Sequence, residues 1–125
     1  MKTALDPRHL RRESAVKALF QHTYSQSAGL DKLAQLVLDN QTQIDEIIQQ
    51  SAPEWPLEKL NRIDLSILRL SVYELIQDQQ PAKVIIDEAI ELAKTYGSEN
   101  SPRFINGALG TASKIIQELT KPEEL

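Results

Sequence analysis

"KVIIDEAIELAKTYGSENSPRFINGALG", residues 83–110, decides how this chain folds. Its first half places Val84, Ile86, Ile90 and Ala93 at helical spacing, the pattern of a helix with one face turned to a core. Gly97 ends that run and suits the position after a helix end, where a positive φ is expected. Ser101 followed by Pro102 reads as an N-cap with proline in the first turn, so a second helix starts there. Arg103, Phe104 and Asn106 fall in its opening turns, where free backbone N–H groups favour anions. Such a corner serves either as a phosphate-facing site or as a tight joint between two packed helices.

The same punctuation recurs on both sides. Asp6–Pro7 opens a helix predicted over about 7–25, with Ala15, Ala18, Leu19 and Phe20 as its buried stripe and Arg8, Arg11 and Arg12 in its first two turns. Residues 31–50 carry Leu33, Leu36, Val37, Ile44, Ile47 and Ile48, as one bent helix or two short ones. "SAPEWP" (51–56) is a connector in which Trp55 is placed as a lid over the bundle. Ile63, Ile67, Leu68, Leu70, Leu75 and Ile76 predict a strong helix over about 63–78, and the last helix covers about 102–119. The links are short, so neighbouring helices pack together. The expectation is an all-α fold, a compact bundle of about six helices forming one domain over residues 1–125.

Composition removes several classes of function. There is no cysteine, so thiolate nucleophiles and most structural zinc sites are excluded. His9 and His22 are the only histidines and neither belongs to an HExxH pattern; the four glycines form no phosphate-cradling loop. Asp87, Glu88 and Glu91 are flanked by Lys83 and Lys94 and read as a charge-laced helix surface rather than a metal site. No catalytic residue, metal or cofactor is expected. No run of about 18 apolar residues is present, which argues against a membrane span, and the N-terminal stretch lacks a signal-type apolar core, so a cytoplasmic location is expected. The net charge of −4 is unevenly placed: residues 1–17 carry +3 and the remainder −7. A basic first helix on an acidic body suits a polyanion or an acidic partner.

"ESAVKALFQ" (13–21), "RIDLSILRLSVYEL" (62–75) and above all residues 83–110 resemble the NusB family of transcription antitermination factors, over about 8–24 and 57–116. The stretch from Asp87 to Gly107 matches the family pattern nearly throughout. The resemblance implies two small helical sub-bundles and no catalysis. It implies binding of the boxA element of nascent ribosomal RNA together with NusE, a small-subunit ribosomal protein, in the RNA polymerase antitermination complex. Its RNA contacts map to Arg8, Arg11, Arg12, Phe20, Tyr96, Asn100, Arg103 and Phe104. Cations for phosphate and rings for stacking are what single-stranded RNA requires. Its NusE contacts map to Asp64, Leu68 and Glu74, with Leu68 as core and Glu74 as a plain exposed acid the competing assignment. Three departures stand out: a thinned arginine run in "RHLRRE", Phe20 where the family usually has Tyr, and a short segment after the first helix. The last implies a shortened N-terminal sub-bundle. A helical adaptor that binds only protein is the alternative function, and steep salt dependence of RNA binding separates the two.

Overall fold

The computed structural model describes residues 6–26 and 29–121. Among them are six α-helices: α1 (Pro7–His22), α2 (Lys32–Asp39), α3 (Gln41–Ser51), α4 (Arg62–Gln77), α5 (Ala82–Tyr96) and α6 (Ser101–Thr120), with a 3-10 turn (Leu57–Lys59) before α4. Short polar side chains start three of them. Asp6 accepts the Arg8 N–H at 2.9 Å, Asp31 the Ala34 N–H at 2.8 Å, and Asn61 the Ile63 N–H at 2.8 Å. Residues 31–50 resolve into two short helices that meet at Asn40. The first helix stops earlier than predicted, at His22, where the Thr23 hydroxyl turns back onto the Phe20 carbonyl at 2.6 Å.

Helix α4 is the hub. It packs against each of the other five helices, and Leu65, Ile67, Leu68, Leu70, Val72 and Leu75 are all buried in one continuous core. A helix apolar around most of its circumference belongs in the middle of a bundle. On one side lie α1 and α2, on the other α3, α5 and α6, so the two sub-bundles share α4 as a common wall. Arg69 of α4 adds a two-pronged bond to Asp45 of α3 at 2.9 and 3.0 Å.

The link between the sub-bundles is ionic as well as apolar. Arg12 is only 5% exposed, which corrects its expected place as an exposed phosphate contact at a helix start. Its guanidinium donates to both Glu74 oxygens at 2.8 Å, also bonds the Gln80 side chain, and lies 3.6 Å from Glu88. His9 meets the other Glu88 oxygen at 3.1 Å. Burial works against the Arg12 charge, but the Glu74 and Glu88 carboxylates outweigh it and hold its pKa above the ordinary value. One buried cation thus ties α1 to α4 and α5.

The joint between α5 and α6 departs from its predicted form in an informative way. Gly97 has φ −89° and ψ −171°, ordinary extended backbone, so a positive φ is not what requires glycine there. Space is the reason. A Cβ at Gly97 would lie 2.5 Å from Ser101 Cβ and Oγ and 2.8 Å from the Ala93 carbonyl oxygen. Ser101 is the first residue of α6 rather than its cap; its hydroxyl accepts the Ser98 N–H at 2.9 Å and sits 3.1 Å from Ser98 Oγ. Asp64 at the start of α4 is 7% exposed, and its Oδ1 has no hydrogen-bond partner among the described residues. Burial pushes the Asp64 pKa up, and the influence of the Ser101 hydroxyl offsets part of that.

Three outcomes are expected. Arg12→Ala should cost about 3–5 kcal/mol in urea denaturation, because it strands buried carboxylates, and Glu74→Gln added to it should recover part of the loss. Gly97→Ala should cost about 1–3 kcal/mol through overpacking at the joint, measured in the same way. For Asp64, a folded pKa above the unfolded value near 3.9 means that the folded chain holds the proton more tightly. That stabilisation is complete below the unfolded pKa and is lost as pH rises through the folded one. Asp64→Asn should therefore match the parent chain near pH 3 and become relatively more stable towards pH 7. A difference that shrinks with rising pH would contradict this assignment.

Candidate nucleic-acid interface

Helix α1 runs antiparallel to α4, as the pairs Arg12–Glu74 and Arg62–Thr23 show. The end of α1 therefore lies beside the start of α4, and the end of α5 joins them. Between these three ends opens a groove of about 760 Å³, lined by Lys17, Phe20, Tyr24, Arg62, Ile63 and Tyr96 among others. Lys17, Phe20 and Tyr24 share one face of α1 and its extension by their i, i+3, i+7 spacing. Two cation–aromatic pairs flank the opening. The Lys17 ammonium stands 5.5 Å from the centre of the Tyr96 ring, and the Arg62 guanidinium lies 4.1 Å from that of Tyr24. Phe20 meets Tyr24 edge to face, with ring centres 5.2 Å apart. Burial and the Glu13 carboxylate raise the Tyr96 pKa, with Lys17 pulling the other way, so the phenol keeps its proton and can donate.

The sequence-predicted residues divide into groups. Phe20 and Tyr96 line the groove, and Asn100 and Arg103 are exposed on the neighbouring joint and first turn of α6. Phe104 is half-buried and packs against the core. Arg8 and Arg11 are exposed but lie at the other end of α1, about 14–18 Å from Phe20 along the helix axis, and line a separate cleft. Arg12 is inside. The expected partner face on α4 is not a surface: Leu68 is 1% exposed and part of the core, Asp64 is buried beneath the joint, and Glu74 is held by Arg12. What α4 offers outward at this end is Asn61 and Arg62.

Lys17, Tyr24 and Arg62 escaped the sequence reading. The first two were legible from their spacing to Phe20, whereas Arg62 reaches Tyr24 only through the pairing of α1 with α4. On α5, Lys83 pairs with Asp87 at 3.4 Å and Lys94 with Glu91 at 3.6 Å, both exposed, while Glu88 turns inward to Arg12 and His9. Among the described residues no three potential ligands stand close enough to hold a metal ion, and no helix is long and apolar enough to cross a membrane. Trp55 is 52% exposed and so is not a lid.

Comparison with known proteins agrees with this architecture. The family model described as the NusB family matches residues 9–114. The chain is 42% identical over 94 residues to the transcription antitermination protein NusB of Dehalococcoides mccartyi, covering 74% of this chain and 66% of that protein. It is 46% identical over 81 residues to the NusB of Roseiflexus castenholzii, covering 62% and 57%. The chain thus spans no more than two-thirds of the length of these relatives. Against the NusB of Carboxydothermus hydrogenoformans it is 36% identical over 137 residues, covering 89% and 95%. That alignment is longer than this 125-residue chain, so the relative carries residues that this chain lacks. A solved structure of T. maritima NusB superposes with a TM-score of 0.79 at 36% identity, covering 91% of this chain and 93% of the other. The chain belongs to the NusB family.

Proposed function

We propose that this protein is a non-enzymatic transcription antitermination factor that holds single-stranded boxA-type RNA of nascent ribosomal transcripts jointly with the ribosomal protein NusE, in the RNA polymerase antitermination complex. The observation that carries the RNA assignment is the groove, where cations alternate with accessible rings. Single-stranded RNA is held by stacking on aromatic and guanidinium planes and by cationic contacts to phosphate. Phe20, Tyr24 and Tyr96 supply the rings; Lys17, Arg62 and Arg103 supply charge; Asn100 offers an amide at the joint. Phe104 acts from beneath, fixing the first turn of α6. Arg8 and Arg11 add to the local positive field that draws RNA in, without lining the groove.

NusE docks on the ledge where α4 begins, against Asn61 and Arg62, with Asp64 holding that ledge to the joint from below. Leu68 and Glu74 act on this surface only by fixing α4 in the bundle. An RNA strand in the groove then runs beside the partner, so the two proteins clasp it between them. Such a role places the protein in the cytoplasm with the transcribing polymerase.

Fluorescence anisotropy with end-labelled boxA RNA, with and without purified NusE and over a salt series, tests this. Tyr96→Ala should remove about 1–3 kcal/mol of RNA binding. Lys17→Glu should weaken binding and lower the salt slope by about one, with stability kept within about 0.5 kcal/mol. Unchanged affinity in both variants would take the groove off the RNA path, and no RNA binding with or without NusE would sink the function itself.

A further inference from the structure

Asn61 has two roles in the fold. It is the N-cap of α4, its Oδ1 accepting the Ile63 N–H at 2.8 Å and facing the Asp64 N–H at 3.5 Å, and it lines the groove between the ends of α1, α4 and α5. The cap settles which way round the amide lies, because only its oxygen can accept an N–H. The NH2 group is therefore turned away from the helix end, and among the described residues it meets no acceptor. Asn61 is exposed, so this donor is open to a ligand. Gln21 also lines the groove, but among the described residues no side-chain bond fixes which end of its amide faces inward.

We propose that Asn61 reads the base held in the groove, donating from Nδ2 to the exocyclic carbonyl of a keto base, O4 of uracil or O6 of guanine. This rests on the groove being the RNA path. Lys17 and Arg62 flank the opening beside the Tyr96 and Tyr24 rings, so phosphates stay at the rim. A base stacked on those rings turns the edge away from its ribose towards the wall. On that edge uracil and guanine carry a carbonyl oxygen where cytosine and adenine carry an amino group. A fixed donor bonds the first pair and meets another donor in the second. Stacking alone tolerates any sequence, since every base has a π-face. Asn61 thus adds selectivity to a groove whose rings and cations supply affinity. The bond that starts α4 also orients the donor, so little side-chain freedom is lost when the base arrives.

Anisotropy of labelled dodecauridine and dodecacytidine on the full chain, with and without NusE, tests the proposal. The parent chain should prefer uridine by about three- to tenfold, the size of one net hydrogen bond. Asn61→Ser keeps a capping oxygen but has no amide, and should bring the ratio close to parity. Asn61→Asp keeps the cap and puts an acceptor in place of the donor. It should turn the preference towards cytidine while weakening both oligomers through its charge. Both variants should keep the parent melting curve, because both residues cap well. A parent without uridine preference overturns the proposal. So does a ratio that both variants leave unchanged while Tyr96→Ala still lowers affinity, and in that case the groove stands as the RNA path. Binding of neither oligomer, or binding that Tyr96→Ala does not move, overturns the groove assignment and this one with it. A loss seen only with NusE and equal for the two oligomers assigns Asn61 to the partner ledge alone, and the proposal is wrong.

Discussion

A single desolvated cation sets the arrangement of this molecule. Arg12 enters the interface between α1, α4 and α5 with a carboxylate from each of the last two, and His9 of α1 joins it on Glu88. The buried apolar stripe of α1 is short, made of Ala15, Val16 and Leu19. Small aliphatic side chains exclude water but slide readily along a neighbour. A two-pronged guanidinium–carboxylate bond does not slide, because a shift of one turn would strand three charges in a dry interior. The network supplies register more than net stability. From that register follows what faces what: Tyr24 meets Arg62, Lys17 meets Tyr96, and the Arg8–Arg11 rim meets the end of α4.

The joint at Gly97 does for α6 what Arg12 does for α1. Glycine there lets the Ser101 side chain come against the α5 terminus, so the Ser98–Ser101 turn closes on itself above the buried Asp64. The cost is a buried carboxylate with one oxygen left unbonded among the described residues. Unsatisfied buried polar atoms are rare and usually mark places where geometry matters more than stability. Here the geometry in question is the angle at which α6 presents Asn100 and Arg103 next to Tyr96.

How much of this was legible in the sequence depended on the kind of interaction. Helices written in apolar periodicity were visible, because that signal is local: α4, α5 and α6 begin and end within about two residues of their expected bounds. The sequence places glycine at 97 for a conformational reason where the physical one is crowding, and crowding needs the third dimension. Leu68 and Asp64 are mapped to a partner by the family resemblance alone, whereas the apolar residues of α4 occupy most of its circumference and turn both inward. Arg12 is the instructive case. It was grouped with Arg8 and Arg11 by nearness in sequence, yet it stands three, four and seven residues before Ala15, Val16 and Leu19, on their face of the helix. That spacing carries the signal that it points inward, which its grouping with Arg8 and Arg11 passes over. What no spacing could show were the acids that meet it, 62 and 76 residues further along the chain.

The positive charge of the first helix, which looks like one device in the sequence, is therefore three. Arg12 is spent inside on register, Lys17 serves the groove, and Arg8 and Arg11 face the cleft at the far end. Each is confined to its place by the angle at which its residue leaves α1, so exchanging positions would rearrange all three placements while leaving the net charge untouched. An acidic chain can in this way carry a locally positive groove. Much of the acid that outweighs the helix faces elsewhere: Glu74 and Glu88 are turned inward onto Arg12, and Asp87 and Glu91 lie beside their lysines on the outer face of α5. The field at the groove is set by Lys17, Arg62 and the nearby Arg103, and over a screening length of about 8 Å those near charges outweigh the distant total.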